Sequence, residues 1–247
     1  VTQMVQLFGL RLLSGKKEDM WNFIKHKMET DEKVWIVTLN ALMFLEYFKN
    51  NEYKYELQNS TISIPDGIGV VKYLEKWGYH TERCPGIDTM LKICEWQKHN
   101  IFLLGSEPGI AEKAKENLEK RFENISIVGT HHGYFKDNET EDIIDMINNS
   151  GAEVLFVGMG VPKQEEFIYK NLHRLNVKLA MGVGGSIDVI SGKVSRAPRF
   201  FQLFGLEWLY RMIREPKRFK KFPDLMYFYF KIYRSKEVPV NLEVINL

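Results

Sequence analysis

Only two cysteines, Cys84 and Cys94, occur in 247 residues. That is too few for a disulfide framework or a cysteine-built zinc site, so a reducing compartment is the default expectation. No stretch approaches eighteen consecutive apolar residues, and the amino terminus has no basic-then-apolar signal pattern. The expectation is therefore a soluble or peripheral cytoplasmic protein rather than a membrane-spanning or secreted one. Internal repeats and low-complexity tracts are missing too, which argues against a solenoid or a disordered chain.

Several catalytic signatures are also absent. The dinucleotide fingerprint G-x-G-x-x-G has two near misses, GMGVPK (158–163) and GVGGSI (182–187), but each lacks the third glycine and comes late in the chain. No G-x-x-x-x-G-K-[ST] phosphate loop and no G-x-S-x-G nucleophile elbow occur, which disfavours P-loop ATPases and the common α/β hydrolases. The Asp-x-Asp pair that holds a divalent ion in many nucleotide-sugar transferases is missing as well. A transferase built on this chain is expected to meet the leaving diphosphate with arginines and lysines instead.

What is present begins with a charge asymmetry. The net charge of +2 is small, yet residues 193–236 hold twelve Lys/Arg against three Asp/Glu. A basic carboxyl-terminal segment on an acidic body implies an anionic partner: phosphate groups, nucleic acid or an anionic membrane. With 45% hydrophobic and 27% charged residues the chain is otherwise ordinary for a globular protein.

Short apolar β-type runs alternate with helical patterns. The runs are VWIVTLN (34–40), STISIPD (60–66), NIFLLG (100–105), ISIVGT (125–130), AEVLFVGMG (152–160) and VKLAMGVGG (177–185). Helical periodicity is expected at 16–28, 40–49, 68–77, 87–99, 108–122, 139–149 and 163–175. Strands apolar on both faces and separated by helices predict an α/β fold, Rossmann-like, with a mainly parallel sheet covered by helices on both faces. Residues 1–192 are expected to form this catalytic domain, and 193–247 a helical, basic appendage that completes the site and binds membrane. Successive strands end in small or polar residues: Thr38 and Asn40, Asp66 and Gly67, Gly105, Gly129, Gly158 and Gly160, then Gly182, Gly184 and Gly185. Ligands of open α/β sheets bind at these carboxyl ends, where backbone amides can approach a phosphate.

Seven motifs occur in order: TLN (38–40), PDGIGVV (65–71), PGID (85–88), THHGYF (130–135), VGMGVPKQE (157–165), GVGGSIDVISGKVSRAP (182–198) and GLEWLYRMIREPKR (205–218). Together they closely resemble the WecG/TagA/CpsF family of bacterial glycosyltransferases, over about residues 8–218. The resemblance implies an inverting, metal-independent transfer of a sugar from a UDP donor to an undecaprenyl-diphosphate-linked GlcNAc at the inner membrane face. N-acetylmannosamine for wall teichoic acid synthesis is the expected sugar; its uronic acid and glucose are the alternatives within the family. No metal or other cofactor is expected, the UDP-sugar being a substrate.

By the same resemblance Asp66 is the general base, although Pro-Asp-Gly alone reads equally as a turn. Thr38 and Asn40 match the family's T-x-N and would orient a substrate, while Asn40 also suits a helix N-cap. Gln164 resembles a residue near the donor sugar, and Arg83 one that meets the acceptor's diphosphate. Gly105, Gly182, Gly184 and Gly185 would admit the nucleotide, with Asp188 accepting a hydrogen bond from ribose or uracil. Arg211, Arg214 and Arg218, spaced as one cationic stripe on a helix, resemble the arginines that bind the donor diphosphate; Lys221 stands where a relative has arginine and lacks the bidentate fork. His131 and His132, pointing to opposite faces of an extended segment, fit a structural or substrate-shaping role better than a metal site.

Beyond the stripe, Phe222, Leu225, Met226, Tyr229, Phe230 and Tyr233 recur at helical spacing, flanked by Lys220, Lys221, Lys231, Arg234 and Lys236. This predicts an interfacial helix on anionic lipid, with packing onto the body or onto a second subunit of a homo-oligomer as the competing reading. A soluble Rossmann-type nucleotide-dependent enzyme is a more distant alternative. A nucleic-acid module using the basic tail leaves Thr38, Asp66 and Gln164 without a role, so nucleic acid is not an expected partner.

Overall fold

The computed structural model describes residues 1–246. In chain order, β1 (Thr2–Leu7), β2 (Leu10–Ser14), α1 (Lys17–Met28), β3 (Val34–Leu39), α2 (Ala41–Lys49) and α3 (Asn51–Gln58) come first. They are followed by β4 (Ile62–Pro65), α4 (Ile68–Lys76), α5 (Gly86–Trp96), β5 (Asn100–Gly105), α6 (Ile110–Arg121) and β6 (Ser126–His131). Next are α7 (Thr140–Asn149), β7 (Val154–Gly158), α8 (Lys163–Asn171), β8 (Leu179–Gly182) and α9 (Ser186–Ser191). The basic segment forms α10 (Arg199–Leu203), α11 (Glu207–Arg214), a 3₁₀ turn at Pro216–Lys221, α12 (Phe222–Tyr233) and β9 (Val240–Ile245).

Among the described residues, all nine strands join one sheet in the order β6-β5-β7-β8-β3-β4-β2-β1-β9. The pairs from β6 to β2 are parallel, and only β1 with β2 and β1 with β9 are antiparallel. The expected α/β architecture with a mainly parallel sheet is present. Every residue of β3 is buried, because strand alternation sends its side chains into two cores. Trp35, Val37 and Leu39 pack with α2, α3, α4, α7, α8 and α12, while Val34 and Ile36 pack with α1, α5, α6 and α9.

The path of the chain opens the functional crevice. From β3 it passes through α2 to β4 on one side, whereas β8 flanks β3 on the other. The helix after β3 covers one face of the sheet and the helix after β8 the opposite face. Neighbouring strand ends that diverge in this way leave the gap where α/β proteins bind ligands.

Several elements differ from expectation. The β1–β2 hairpin turns on Phe8 (φ 50°) and Gly9 (φ 82°), two left-handed residues of the kind a tight hairpin needs. Phe8 meets that need without the usual Asn or Asp because its ring packs against Phe44, Phe48 and Tyr73. The polar helix α3 was not expected, nor was β9, whose six residues are mostly exposed and held by pairing with β1. The segment after 193 therefore returns to the main sheet; its last residue, Leu247, lies outside the described residues. The arginine stripe is not one helix, since α11 ends at Arg214 and Pro216 opens the 3₁₀ turn that carries Arg218. The α12 face is divided too: Leu225, Phe228, Tyr229 and Ile232 pack on the body, whereas Met226, Tyr227, Phe230 and Tyr233 are exposed.

Candidate active site

A cavity of about 650 Å³ lies at the carboxyl ends of β8, β3 and β4, roofed by α11, the 3₁₀ turn and the start of α12. Thr38 closes its floor by donating from Oγ1 to the carbonyl of Gly182 (3.2 Å), which ties the ends of β3 and β8 together. Asn40, the next inward position, is the N-cap of α2: its Oδ1 accepts from the Met43 amide (3.1 Å). The capping and lining roles coexist, because Asn40 also borders the cavity together with Asp66.

Asp66 follows the last residue of β4. Its backbone amide donates to Leu39 and Ile64 carbonyls (3.0 Å each), so the Pro65-Asp66-Gly67 bend is held against β3. The carboxylate Oδ1 accepts from the Gly86 amide at 2.7 Å. Glycine is required there because a Cβ on Gly86 would lie 2.9 Å from Thr38 Cγ2. Oδ1 is thus engaged by a backbone amide, and among the described residues no hydrogen bond of normal geometry reaches Oδ2. Burial pushes the Asp66 carboxyl above its ordinary range, while the Gly86 amide, Arg83, Arg211 and Asn40 pull it back down.

Gln164 sits in the first turn of α8, almost fully buried, with Oε1 accepting from the Gly184 amide (3.0 Å). Gly184 and Gly185 line the cavity, and a Cβ on either would meet nothing within 4 Å, so the backbone there is open to a ligand. Arg83 lines the wall beside Pro85 and Gly86, and Arg211 and Arg218 line the roof with Lys217 and Lys221. Among the described residues Arg211, Lys217 and Lys221 form no ion pair, whereas Arg218 is paired with Glu215 (2.5 Å).

Four expected site residues stand outside this lining. Gly105 packs against the neighbouring strand end, where a Cβ would lie 2.4 Å from the Gly158 carbonyl. Gly182 faces the side chains of Gln164 and Glu165, which a Cβ would strike at 2.8 and 2.7 Å. Asp188 is in α9 with a buried, unpartnered Oδ1 but does not reach the cavity, and Arg214 is exposed at the end of α11. His131 and His132 do not diverge as an extended segment would require. β6 ends between them, and their rings lie 4.3 Å apart with His131 Nδ1 against the His132 carbonyl.

Two acidic groups near the site escaped sequence reasoning. Glu165 is 1% exposed beneath Gln164; its Oε1 accepts from the Tyr53 hydroxyl (2.8 Å), and burial pushes its carboxyl up to about 8. Glu207, the first residue of α11, lines the cavity and accepts from Arg83 Nη2 at 2.6 Å. The available signal for Glu207 was its isolation, one of only three acids in the basic stretch 193–236.

Comparison with known proteins shows the family. The sequence model described as "Glycosyl transferase WecG/TagA/CpsF family" matches residues 5–240. A protein of Bacillus spizizenii named N-acetylglucosaminyldiphosphoundecaprenol N-acetyl-beta-D-mannosaminyltransferase is 33% identical over 211 residues, covering 82% of this chain and 81% of its own. A protein of the same name from Staphylococcus aureus strain MRSA252 is 35% identical over 213 residues, covering 84% and 83%. Motifs spread along the whole chain, a crevice at the strand ends and these matches place it in one group of enzymes: the chain belongs to the WecG/TagA/CpsF family of glycosyl transferases.

Proposed function

We propose that this enzyme transfers N-acetylmannosamine from a UDP donor to N-acetylglucosaminyl-diphospho-undecaprenol, the reaction for which its relatives are named. The observation that carries the mechanism is the half-engaged Asp66 carboxylate at the floor of a cation-roofed cavity. In a single displacement the free Asp66 oxygen takes the proton of the acceptor hydroxyl as that oxygen bonds to the anomeric carbon. The bond to UDP breaks on the opposite face, which inverts the configuration. Desolvation of Asp66 raises its basicity toward the working pH, which suits a general base. Charge growing on the departing diphosphate falls to Arg211, Lys217 and Arg218 without a metal. Gln164, fixed through Gly184, and Thr38 orient the sugars.

The acceptor's lipid makes the membrane surface the natural workplace. No helix among the described residues is long and apolar enough to cross a membrane. The exposed Met226, Tyr227, Phe230 and Tyr233, beside Lys231 and Arg234, support peripheral binding of α12 to anionic lipid at the inner face of the cell membrane.

Asp66→Asn tests the base directly with UDP-N-acetylmannosamine and a short-chain polyprenyl-diphosphate-GlcNAc acceptor. Transfer is expected to fall about 10²- to 10⁴-fold with UDP affinity retained. A variant turning over at near the normal rate sinks the assignment.

A further inference from the structure

The roof of the cavity is fastened to its floor by a relay of four charges. Arg196 grips Asp88 bidentately (Nη1 to Oδ1 2.7 Å, Nη2 to Oδ2 3.2 Å) and also reaches Glu207 Oε1 from Nη2 (3.4 Å). The same Glu207 oxygen accepts from Arg83 Nη2 at 2.6 Å, and Arg83 Nη1 donates to the Gln202 carbonyl (3.3 Å). Asp88 lies in the first turn of α5, the turn whose Gly86 amide holds Asp66. Arg83 is pinned close by, since the adjacent Cys84 amide donates to the Pro65 carbonyl (2.8 Å). The relay thus starts beside Asp66 and ends on α11.

Glu207 and Arg211 are four residues apart on α11 and therefore share one face of it. Its apolar anchorage is modest: Met212 is its one fully buried hydrophobic residue, Trp208 is partly buried alongside, and the Tyr210 ring meets Phe201 of α10 at 5.3 Å. A short helix with so few apolar anchors can roll or lift; a carboxylate shared by two partly buried guanidinium groups prevents both. The four charges also cancel, so the relay adds no net charge at the cavity wall. Among the described residues Arg211 forms no ion pair, unlike Arg83 and Arg196, and the distribution of charge reserves it for an anion.

We propose that Glu207 is a positioning residue: by joining Arg83 to Arg196 it fixes α11 against the first turn of α5, so that Arg211 stands over Asp66 where the donor diphosphate must lie. The inference rests on the reading of the cavity as a UDP-sugar site. Glu207 borders the cavity, but its Oε1 is already taken by Arg83 and Arg196. It acts through Arg211 and by holding Arg83 in place.

Arg196 makes the test clean, because it belongs to the relay but does not line the cavity. Arg196→Met, Glu207→Gln and the double variant are compared with the wild type by UDP calorimetry, hydrogen exchange over 207–214 and steady-state transfer. Each single variant is expected to weaken UDP binding about 10- to 100-fold, the scale of one charge-assisted contact. Exchange in α11 rises with it, and the double variant is little worse than either single one, since both break the same relay. Where Glu207→Gln does not fold, Asp88→Asn removes one link and is read the same way. A lower melting temperature with UDP affinity, kcat and α11 exchange unchanged overturns the proposal, because a merely structural ion pair gives that pattern. Wild-type enzyme that fails to bind UDP sinks the donor reading; normal UDP binding with unaltered variants sinks the role of Glu207 alone.

Discussion

Gly69, in the first turn of α4, offers a sharp test of how the carboxyl-terminal segment is seated. Its backbone is ordinary helix, so alanine there is favoured by propensity, by up to about 1 kcal/mol. Contact opposes it: a Cβ would lie 2.2 Å from Tyr229 Cε1 and 3.0 Å from the ring's Cζ and hydroxyl. Two responses compete. Forcing the ring aside is overpacking and costs about 1–3 kcal/mol. Releasing α12 would expose Leu225 and Phe228, 3% and 6% exposed, at about 1.5–3 kcal/mol each. The ring should therefore move while the helix stays seated, and Gly69→Ala should lose up to about 2 kcal/mol net once the propensity gain is subtracted. Urea denaturation of Gly69→Ala, Tyr229→Ala and the double variant reads the contact directly. Without the ring the new methyl meets no obstacle, so the double variant should be at least as stable as Tyr229→Ala, a coupling of at least about 1 kcal/mol. Losses that simply add, with no coupling between the two sites, would refute the close approach of Tyr229.

Other consequences are equally open to measurement. The acid limb of the kcat/KM profile should fall as pH drops through an Asp66 pKa above the usual aspartate range; Arg211→Met, which removes a cation that lowers it, should move that limb upward. A limb moving downward contradicts the arrangement. Glu165 binds its proton more tightly folded (about 8) than its ordinary value of 4.5, so the native state loses stability as pH rises between those values. The ceiling is about 1.4 kcal/mol per unit of separation, and Glu165→Gln should flatten the curve; parallel curves for the two proteins refute the link. Replacing exposed Tyr227 and Phe230 by serine should reduce cosedimentation with anionic vesicles about tenfold or more, and equal binding would remove α12 from the membrane contact.

The part of the fold most legible in the sequence was the part built from local pattern. The six runs from VWIVTLN to VKLAMGVGG each correspond to a strand, because strands buried on both faces leave little room for polar residues. What was missed depends on distant partners. β9 is a mostly exposed strand that exists by pairing with β1, more than 230 residues earlier. The hairpin at Phe8-Gly9 carries no standard turn signal, since tertiary packing of the Phe8 ring holds it. Asp66, Thr38, Asn40, Gln164, Gly184, Gly185, Arg83, Arg211 and Arg218 do meet around one cavity. Spacing alone could not show that Arg83 is already bound to Glu207, or that Pro216 separates Arg218 from the helix of Arg211. Nor could it link Glu165 to Tyr53, 112 positions away.

The return of the chain to β1 changes what the roof is mechanically. A segment secured only at one end explores a broad volume and pays the full entropy of its own ordering. Residues 199–233 are instead strung between α9 and a strand hydrogen-bonded into the sheet. They behave as a bridge with two abutments, whose deck can flex but cannot wander. Cutting the bridge at residue 222 would therefore do more than discard a basic surface. It would strip β9 from β1, bare the row of backbone groups along that edge, and invite pairing between molecules. Loss of membrane binding after such a cut would then report a damaged sheet as readily as a missing lipid contact, so single surface substitutions on α12 are the better instrument.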